Sequence, residues 1–430
     1  MDKTTTAMPD ARWNAVNIIN RFLVDGAFPD REMEGMHVHR ALIMQIAYGT
    51  IRHLSLLRWV IGQYVKTPPR AIVEACLLTS AYQLLFMDQS EPYAILNEGV
   101  RIAKRVASEK DGHFVNAVLR NVQRNQSDLM QRVPFLPEST RFSHPEGLLN
   151  RWIKQFGEEK ALALCALDNE SAFVTLHPMS DRISFDDYFK KLEEADISAI
   201  RHPYAPESFI QLSHGHKVHE LPGYSEGLFT VQDPATFMAV NLLKPLPGEV
   251  VLDACAAPGG KTVLIAEQMQ NQGQLIAMDL HEDRLDVLSQ NVKRMGYDCI
   301  TSAQGDARDV AACDVVKRWV EKGFDAILVD VPCTNTGVIR RRPDARWRFS
   351  KTRQKKLLKT QVEILYSASK QLRSGGRLVY STCSLEPEEN IDQINRWVKN
   401  NPSFTLEEHT FLFPPDSKTD GAFAARLRRD

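Results

Sequence analysis

Apolar residues recur at three- and four-residue intervals from Arg12 to about Asn125, as in Ala41, Ile43, Met44, Ile46, Ala47 and Ile51, and again in Val115, Val118, Leu119 and Val122. That is the period of an amphipathic helix. Breakers at Asp25-Gly26, Thr67-Pro68-Pro69 and Asp111-Gly112 divide the stretch into several helices, so the pattern predicts an all-α module. Residues 126–145 are polar and carry Pro134, Pro137 and Pro145, the composition of a linker or domain boundary. A second helical pattern runs from Leu148 to Asp168. Between about 172 and 232, short mixed stretches broken by Pro178, Pro203, Pro206 and Pro222-Gly223 predict a small α+β segment. From Gly248 the rhythm changes to Val250-Val251-Leu252, Leu275-Ile276-Ala277-Met278, Ala326-Ile327-Leu328-Val329 and Leu378-Val379-Tyr380, each followed by a helical stretch. Continuous apolar runs suit strands covered on both faces, so a doubly wound, mostly parallel α/β sheet is expected there. The expected division is 1–140, 141–235 and 236–430, with no internal repeat.

Length and composition add bounds. A chain of 430 residues has material for at least two cores, and 43% hydrophobic with 25% charged residues is the make-up of a folded globular protein. The longest apolar runs fall far short of the roughly 20 residues a bilayer span needs. Met1–Asp10 lacks the basic start and apolar stretch of a secretory signal, so a cytoplasmic protein without membrane contact is expected, acting as a monomer. Seven scattered cysteines without a C-x-x-C pair argue for reduced thiols rather than disulfides or a zinc ribbon. His214, His216 and His219 lack cysteines or acids at ligand spacing, and no metal is expected. A net charge of −1 means that any nucleic-acid surface must be local.

Candidate chemistry concentrates after the first apolar run of the sheet. Asp253-Ala-Cys255-Ala256-Ala257-Pro258-Gly259-Gly260-Lys261-Thr262 precedes a helical stretch. Small residues permit close backbone approach, and a helix start offers unpaired N–H groups to an anion. A phosphate loop would need glycine at position 255, and a dinucleotide fingerprint would need G-x-G-x-x-G; neither is present. The loop therefore suits a ligand with a carboxylate and no phosphate. Asp279 closes the second strand, where an acid can accept ribose hydroxyls, and Gly305-Asp306-Ala307 closes the third, where another acid can meet an adenine amino group. In that order the three features suit S-adenosylmethionine, although an Asp at a strand end also serves simply as a helix N-cap.

The fourth and fifth strands end in Asp330-Val-Pro-Cys333 and Ser381-Thr-Cys383-Ser384. Parallel strands present their carboxyl ends at one edge, about 5 Å apart, so both thiols are expected to face one cavity. Cys76, Cys165, Cys299 and Cys313 are read instead as small buried hydrophobes. A methyltransferase acting on cytosine carbon 5 needs a thiolate, because that carbon is too poor a nucleophile until a sulfur adds to carbon 6. Asp330 could hydrogen-bond the ring at N3 or N4. A second thiol suggests help with release, and the residues themselves leave open which cysteine does which.

Residues 229–430 resemble the NOL1/NOP2/Sun family of RNA cytosine-5 methyltransferases through Val231-Gln-Asp233, DACAAPGGKT, GDA, DVPC, TGVIRR, STCSLEPEEN and the terminal Asp420-Gly-Ala-Phe423. The resemblance implies a Rossmann-like class I S-adenosylmethionine methyltransferase domain. It implies Cys383 as nucleophile, Cys333 as the residue assisting release, and Cys255 to Lys261, Asp279, Asp306 and Asp330 around the cofactor. Asn97-Glu98-Gly-Val100 and Phe114-Val-Asn-Ala-Val-Leu-Arg120 resemble the NusB-type RNA-binding module. That pairing resembles bacterial small-subunit ribosomal RNA methyltransferases, which implies 16S rRNA as substrate. Two positions depart from the family pattern: Thr334-Asn335, where serine usually follows the Pro-Cys pair, and Leu176-His177-Pro178, where an Arg-x-Asn strand is usual.

Between Arg340 and Lys359 stand ten Lys/Arg and one acid, with Trp347 and Phe349 among them. Arg340, Arg341 and Arg342 are the candidate phosphate contacts, while Lys355 to Lys359 could equally be a solvated helix face. The rival functions are the same chemistry on tRNA or another RNA, a DNA cytosine methyltransferase, a nitrogen or oxygen methyltransferase that would need no thiol, and a non-catalytic RNA-binding factor.

Overall fold

The computed structural model describes residues 10–87, 91–213, 216–319 and 321–430. Residues 1–9, which carry the expected absence of a signal, and His214 lie outside them. Among the described residues no helix is long and apolar enough to cross a membrane. The chain forms two compact units. One runs to Glu170 and also takes in Ile339–Arg348; the other comprises Ser171–Val338 and Phe349–Asp430.

The first unit is helical. Its main helices are Ala11–Asp25, Arg40–Arg52, Leu54–Gly62, Ala71–Phe86, Pro92–Val106, Glu109–Arg124, Glu146–Phe156 and Glu158–Asp168. Ala71–Phe86 is apolar nearly all round and forms the centre of the core, with Cys76, Leu77, Leu78 and Ala81 fully buried. The break expected at Asp111-Gly112 falls instead at Ala107-Ser108, because the Ser108 hydroxyl caps the next helix by accepting the Asp111 N–H. Residues 126–145 are mostly helical rather than an open linker: Pro134 is the second residue of a short 3-10 turn, and Pro145 immediately precedes Glu146–Phe156. The prolines mark helix starts.

The second unit contains two sheets. β1 (Thr175–Pro178), β2 (Ala199–Arg201), β3 (Ile210–Leu212) and β4 (Phe229–Val231) form an antiparallel sheet in the order β2-β3-β1-β4, beside the helix Phe185–Glu194. His177 in β1 is buried, its ring bridging Ser208 O at 2.9 Å and Glu267 Oε2 at 3.0 Å.

The larger sheet follows the doubly wound expectation. Its strands are β5 (Val250–Asp253), β6 (Gln274–Asp279), β7 (Ile300–Gln304), β8 (Phe324–Asp330), β9 (Leu372–Thr382), β10 (Phe404–Leu412) and β11 (Ala422–Arg429), in the order β10-β11-β9-β8-β5-β6-β7. β5 to β9 are mutually parallel, whereas β11 runs antiparallel to both β9 and β10. Apolar clusters cover both faces: Leu252, Ile276, Ile327 and Leu378 on one, Val251, Leu275, Leu328 and Val379 on the other. That explains why these strands read as unbroken apolar runs. The carboxyl ends of β5, β6, β8 and β9 share one edge.

Candidate active site

Asp253 ends β5 fully buried, its Oδ2 accepting the Thr262 hydroxyl at 2.8 Å while Oδ1 has no partner. Burial pushes its carboxyl up to about 7, with Asp330 and Asp279 raising it further against the pull of Thr262 and Lys261. The loop then turns through Cys255 and a cis Ala257-Pro258 bond. Gly259, at φ +103°, occupies backbone space that L side chains rarely enter. The helix Gly260–Gln268 begins immediately after it. The Cys255 thiol is pushed well up by burial and then by the neighbouring carboxylates, which keeps it neutral.

Asp279 at the tip of β6 is buried and holds this loop from the side. Its Oδ2 accepts the Ala257 N–H at 3.1 Å and its Oδ1 accepts the His281 N–H at 3.1 Å; Arg284 donates to Ala257 O. Leu280 beside it is exposed. Asp306 follows β7, where it caps a short 3-10 turn through the Arg308 N–H at 2.9 Å and pairs with the Arg308 guanidinium. Hydrogen bonding to Arg308 holds its carboxyl below the usual range.

Asp330 and Ser381 are direct neighbours in the β8–β9 ladder, which brings the two cysteine-bearing tips together. Cys333 Sγ lies 3.4 Å from Cys383 Sγ. Both sulfurs reach the same acceptor, Asn335 Oδ1, at 3.5 Å from Cys333 and 3.0 Å from Cys383. The Cys333 thiol is raised well above its ordinary value, first by its hydrogen bond to Cys383 and then by burial. Lys261, from the cofactor-type loop, donates to Asp330 Oδ2 at 2.7 Å. Burial alone would depress Lys261, but Asp330, with a smaller contribution from Cys383, outweighs it and keeps the ammonium charged.

Several residues not singled out from the sequence build this constellation. Glu389 accepts from the Thr334 N–H and hydroxyl and from the Ser384 hydroxyl, so one buried carboxylate ties together the residues that follow the two cysteines. Asn390 accepts the Thr382 hydroxyl at 2.6 Å and donates to Ser384 O at 2.8 Å, gripping both sides of Cys383. Gln361 donates to Pro332 O at 3.0 Å. Gly337 N–H donates to Cys383 O at 2.9 Å, and a Cβ at Gly337 would stand 2.5 Å from Gly421 O. Glu389 and Asn390 lie in STCSLEPEEN, whose run of acid and amide residues just past the second cysteine was the available signal.

Arg340, Arg341 and Arg342 group with the helical unit. Arg340 is 3.5 Å from Glu170, while Arg342 is exposed and 3.9 Å from Asp30. Trp347 packs on the helical core and donates to Ile51 O at 3.0 Å, so it is a packing residue. Among the described residues no cluster of His, Cys, Asp or Glu is arranged to hold a metal ion.

A ligand bearing an ammonium and carboxylate, a ribose and an adenine fits the first part of this site. Asp253 Oδ1 is a buried acceptor without a protein partner, the helix from Gly260 begins directly after the loop, and Asp279 stands at the next strand tip. Together with the seven-stranded sheet, these features define an S-adenosylmethionine-dependent methyltransferase. Residues 240–428 match the model of the family described as 16S rRNA methyltransferase RsmB/F, residues 10–124 the NusB family, and residues 144–219 the ferredoxin-like domain of RsmF/B-like methyltransferases. The chain is 35% identical over 399 residues to a Citrobacter koseri protein named ribosomal RNA small subunit methyltransferase B, covering 90% of each chain. It belongs to this RsmB/F methyltransferase family. Among solved structures, that of PH0851 superimposes with a TM-score of 0.79 at 24% identity, covering 99% of this chain and 100% of that one. A methyltransferase homologue from Pyrococcus horikoshii gives 0.59 at 27% identity, covering 68% of this chain and 98% of that one.

Proposed function

We propose that the chain methylates carbon 5 of a cytosine in 16S ribosomal RNA through a covalent bond between Cys383 and carbon 6, acting as a monomer in the cytoplasm. The observation that carries this reading is the 3.4 Å separation of two thiols at neighbouring strand tips, beside the Lys261–Asp330 pair. Cys383, the more exposed of the two, is the nucleophile. Its thiolate adds to carbon 6, and the electron pair moves to the ring, where Asp330 or Lys261 can hydrogen-bond the changing edge. S-adenosylmethionine, when bound, supplies an electrophilic methyl group to carbon 5. A base then removes the carbon 5 proton, the ring double bond re-forms, and the sulfur leaves as thiolate.

Cys333 suits the release step. The foremost cause of its high pKa is the hydrogen bond to Cys383. Cys333 stands 3.4 Å from the attacking sulfur, so as a thiolate, its own proton passed to solvent, it is placed to take the carbon 5 proton. The target base has to leave any stack to reach a thiolate, which favours an unpaired region of RNA. Arg342, exposed on the helical unit, is the member of the arginine trio best placed to meet phosphate.

The test uses RNA carrying 5-fluorocytosine. Fluorine cannot be removed as a proton is, so with methyl donor present the wild-type chain should remain attached to RNA as a slow-migrating species, and Cys383→Ala should form none. Methyl transfer to ordinary RNA without any attached species on the fluorinated RNA would overturn the covalent reading. Mapping methylated cytosines in 16S rRNA from cells with and without the protein tests the substrate.

A further inference from the structure

We propose that Asn335 is a catalytic residue of the thiol site, its side-chain amide accepting from the Cys383 thiol and, when turned over, donating to the Cys383 thiolate. The inference rests on Cys383 being the nucleophile. A single amide oxygen lies 3.0 Å from Cys383 Sγ and 3.5 Å from Cys333 Sγ, so one side chain caps both sulfurs.

The backbone around that amide is held at several points. Asn335 has φ +60°, a left-handed conformation that asparagine tolerates better than most residues. On one side Thr334 is bound to Glu389; on the other the Thr336 hydroxyl accepts the Leu385 N–H at 2.9 Å, and Gly337 donates to Cys383 O. What stays adjustable is the terminal torsion of the side chain, where a half-turn exchanges Oδ1 for Nδ2.

Ionisation of Cys383 reverses what its sulfur needs. The thiol donates to the amide oxygen; after the proton passes to solvent, the thiolate is repelled by that oxygen and attracted by an N–H in its place. The titratable and charged groups around Cys383 are the Cys333 thiol from the β8 tip and the Lys261 ammonium from the cofactor-type loop with its partner Asp330, while Glu389 acts on the neighbouring Cys333. Lys261 is the cation of the set, and it is already bound to Asp330. With the amide turned over, its N–H takes the place of the oxygen 3.0 Å from the sulfur and bears directly on how readily Cys383 gives up its proton.

The experiment measures the rate at which Cys383 is alkylated by iodoacetamide from pH 6 to 10, resolved from Cys333 by peptide mass spectrometry. Asn335→Gly removes the amide while retaining a residue suited to positive φ, and Asn335→Asp keeps the shape but adds a negative charge. Both should move the midpoint upward: about one pH unit for Gly, or about tenfold slower alkylation at pH 7, and further for Asp. The kcat for methyl transfer should fall in parallel, with the KM for S-adenosylmethionine unchanged. A profile for either variant that superimposes on wild type would overturn the proposal. The alkylation contains neither RNA nor methyl donor, so its outcome is separate from the trapping assay that tests Cys383 as nucleophile.

Discussion

Glu389 receives both the backbone N–H and the hydroxyl of Thr334, the residue directly after Cys333. The same carboxylate accepts the hydroxyl of Ser384, directly after Cys383, and the Gln361 amide at 3.1 Å. The separation of the two sulfurs is thus set by a group that touches neither. Replacing Glu389 with Ala leaves several buried donors unmet, at about 1–3 kcal/mol each. Glu389→Ala should lose about 3 kcal/mol or more of stability in urea unfolding. Glu389→Gln, which keeps one acceptor oxygen, should lose less yet still reduce methyl transfer at least about tenfold by loosening the thiol spacing. Wild-type turnover in the Gln variant would show that the clasp does not position the sulfurs.

The two cysteines should fail in different ways. On the roles proposed above, Cys383→Ala takes away the attacking sulfur and should abolish both turnover and adduct. Cys333→Ala leaves addition intact but impairs release, so protein should accumulate on ordinary, unfluorinated RNA as a slow-migrating band. Gel electrophoresis under denaturing conditions distinguishes them, and the opposite pattern would exchange the two roles.

Lys261 and Asp330 connect the cofactor-type loop to the tip of β8 by a partly buried pair at 2.7 Å, their side chains 17% and 32% exposed. Contacting charged residues couple more strongly than distant ones, so a double-mutant cycle with Lys261→Met and Asp330→Asn should give an interaction free energy of about 1–3 kcal/mol in chemical unfolding. Each single variant should also weaken binding of S-adenosylmethionine in calorimetry. Additive stabilities would mean the pair contributes nothing beyond its separate members.

What local pattern could and could not reveal follows from where the partners of each residue lie. The strand tips were legible because β5, β6 and β8 are covered on both faces and end abruptly at acids, a signal contained in a few consecutive residues. The allegiance of Ile339–Arg348 was not. Arg346 belongs to a basic run that reads as a surface, yet it is 0% exposed. Its guanidinium donates to Arg52 O, Ser143 O, Asp168 O and Asn169 Oδ1. A charge is buried only where acceptors surround it, and these lie far away in sequence. Arg348 repeats the lesson, donating to Gly26 O and Ala27 O with its guanidinium 3.8 Å over the Phe28 ring. Glu389 was missed for a related reason: its role depends on two strands becoming neighbours, which no single segment encodes.

Asp253 supplies a pH test of the site. Burial raises its folded-state pKa to about 7 from an ordinary 3.8, so between those values the folded chain holds a proton that the unfolded chain has released. Stability from this group is therefore fully present below about pH 4 and is lost as pH rises through about 7, falling by up to about 1.4 kcal/mol per pH unit inside the window. Asp253→Asn cannot titrate. Plotted against pH, the unfolding free energy of wild type minus that of the variant should decline from pH 4 to 7 and level off above it. Saturating S-adenosylmethionine should alter the slope if its ammonium meets the unpartnered Oδ1, because a cation there favours the ionised carboxylate and moves the window to lower pH. A flat difference across the range would show that Asp253 is ionised throughout, and would remove the neutral carboxyl from the account of this loop.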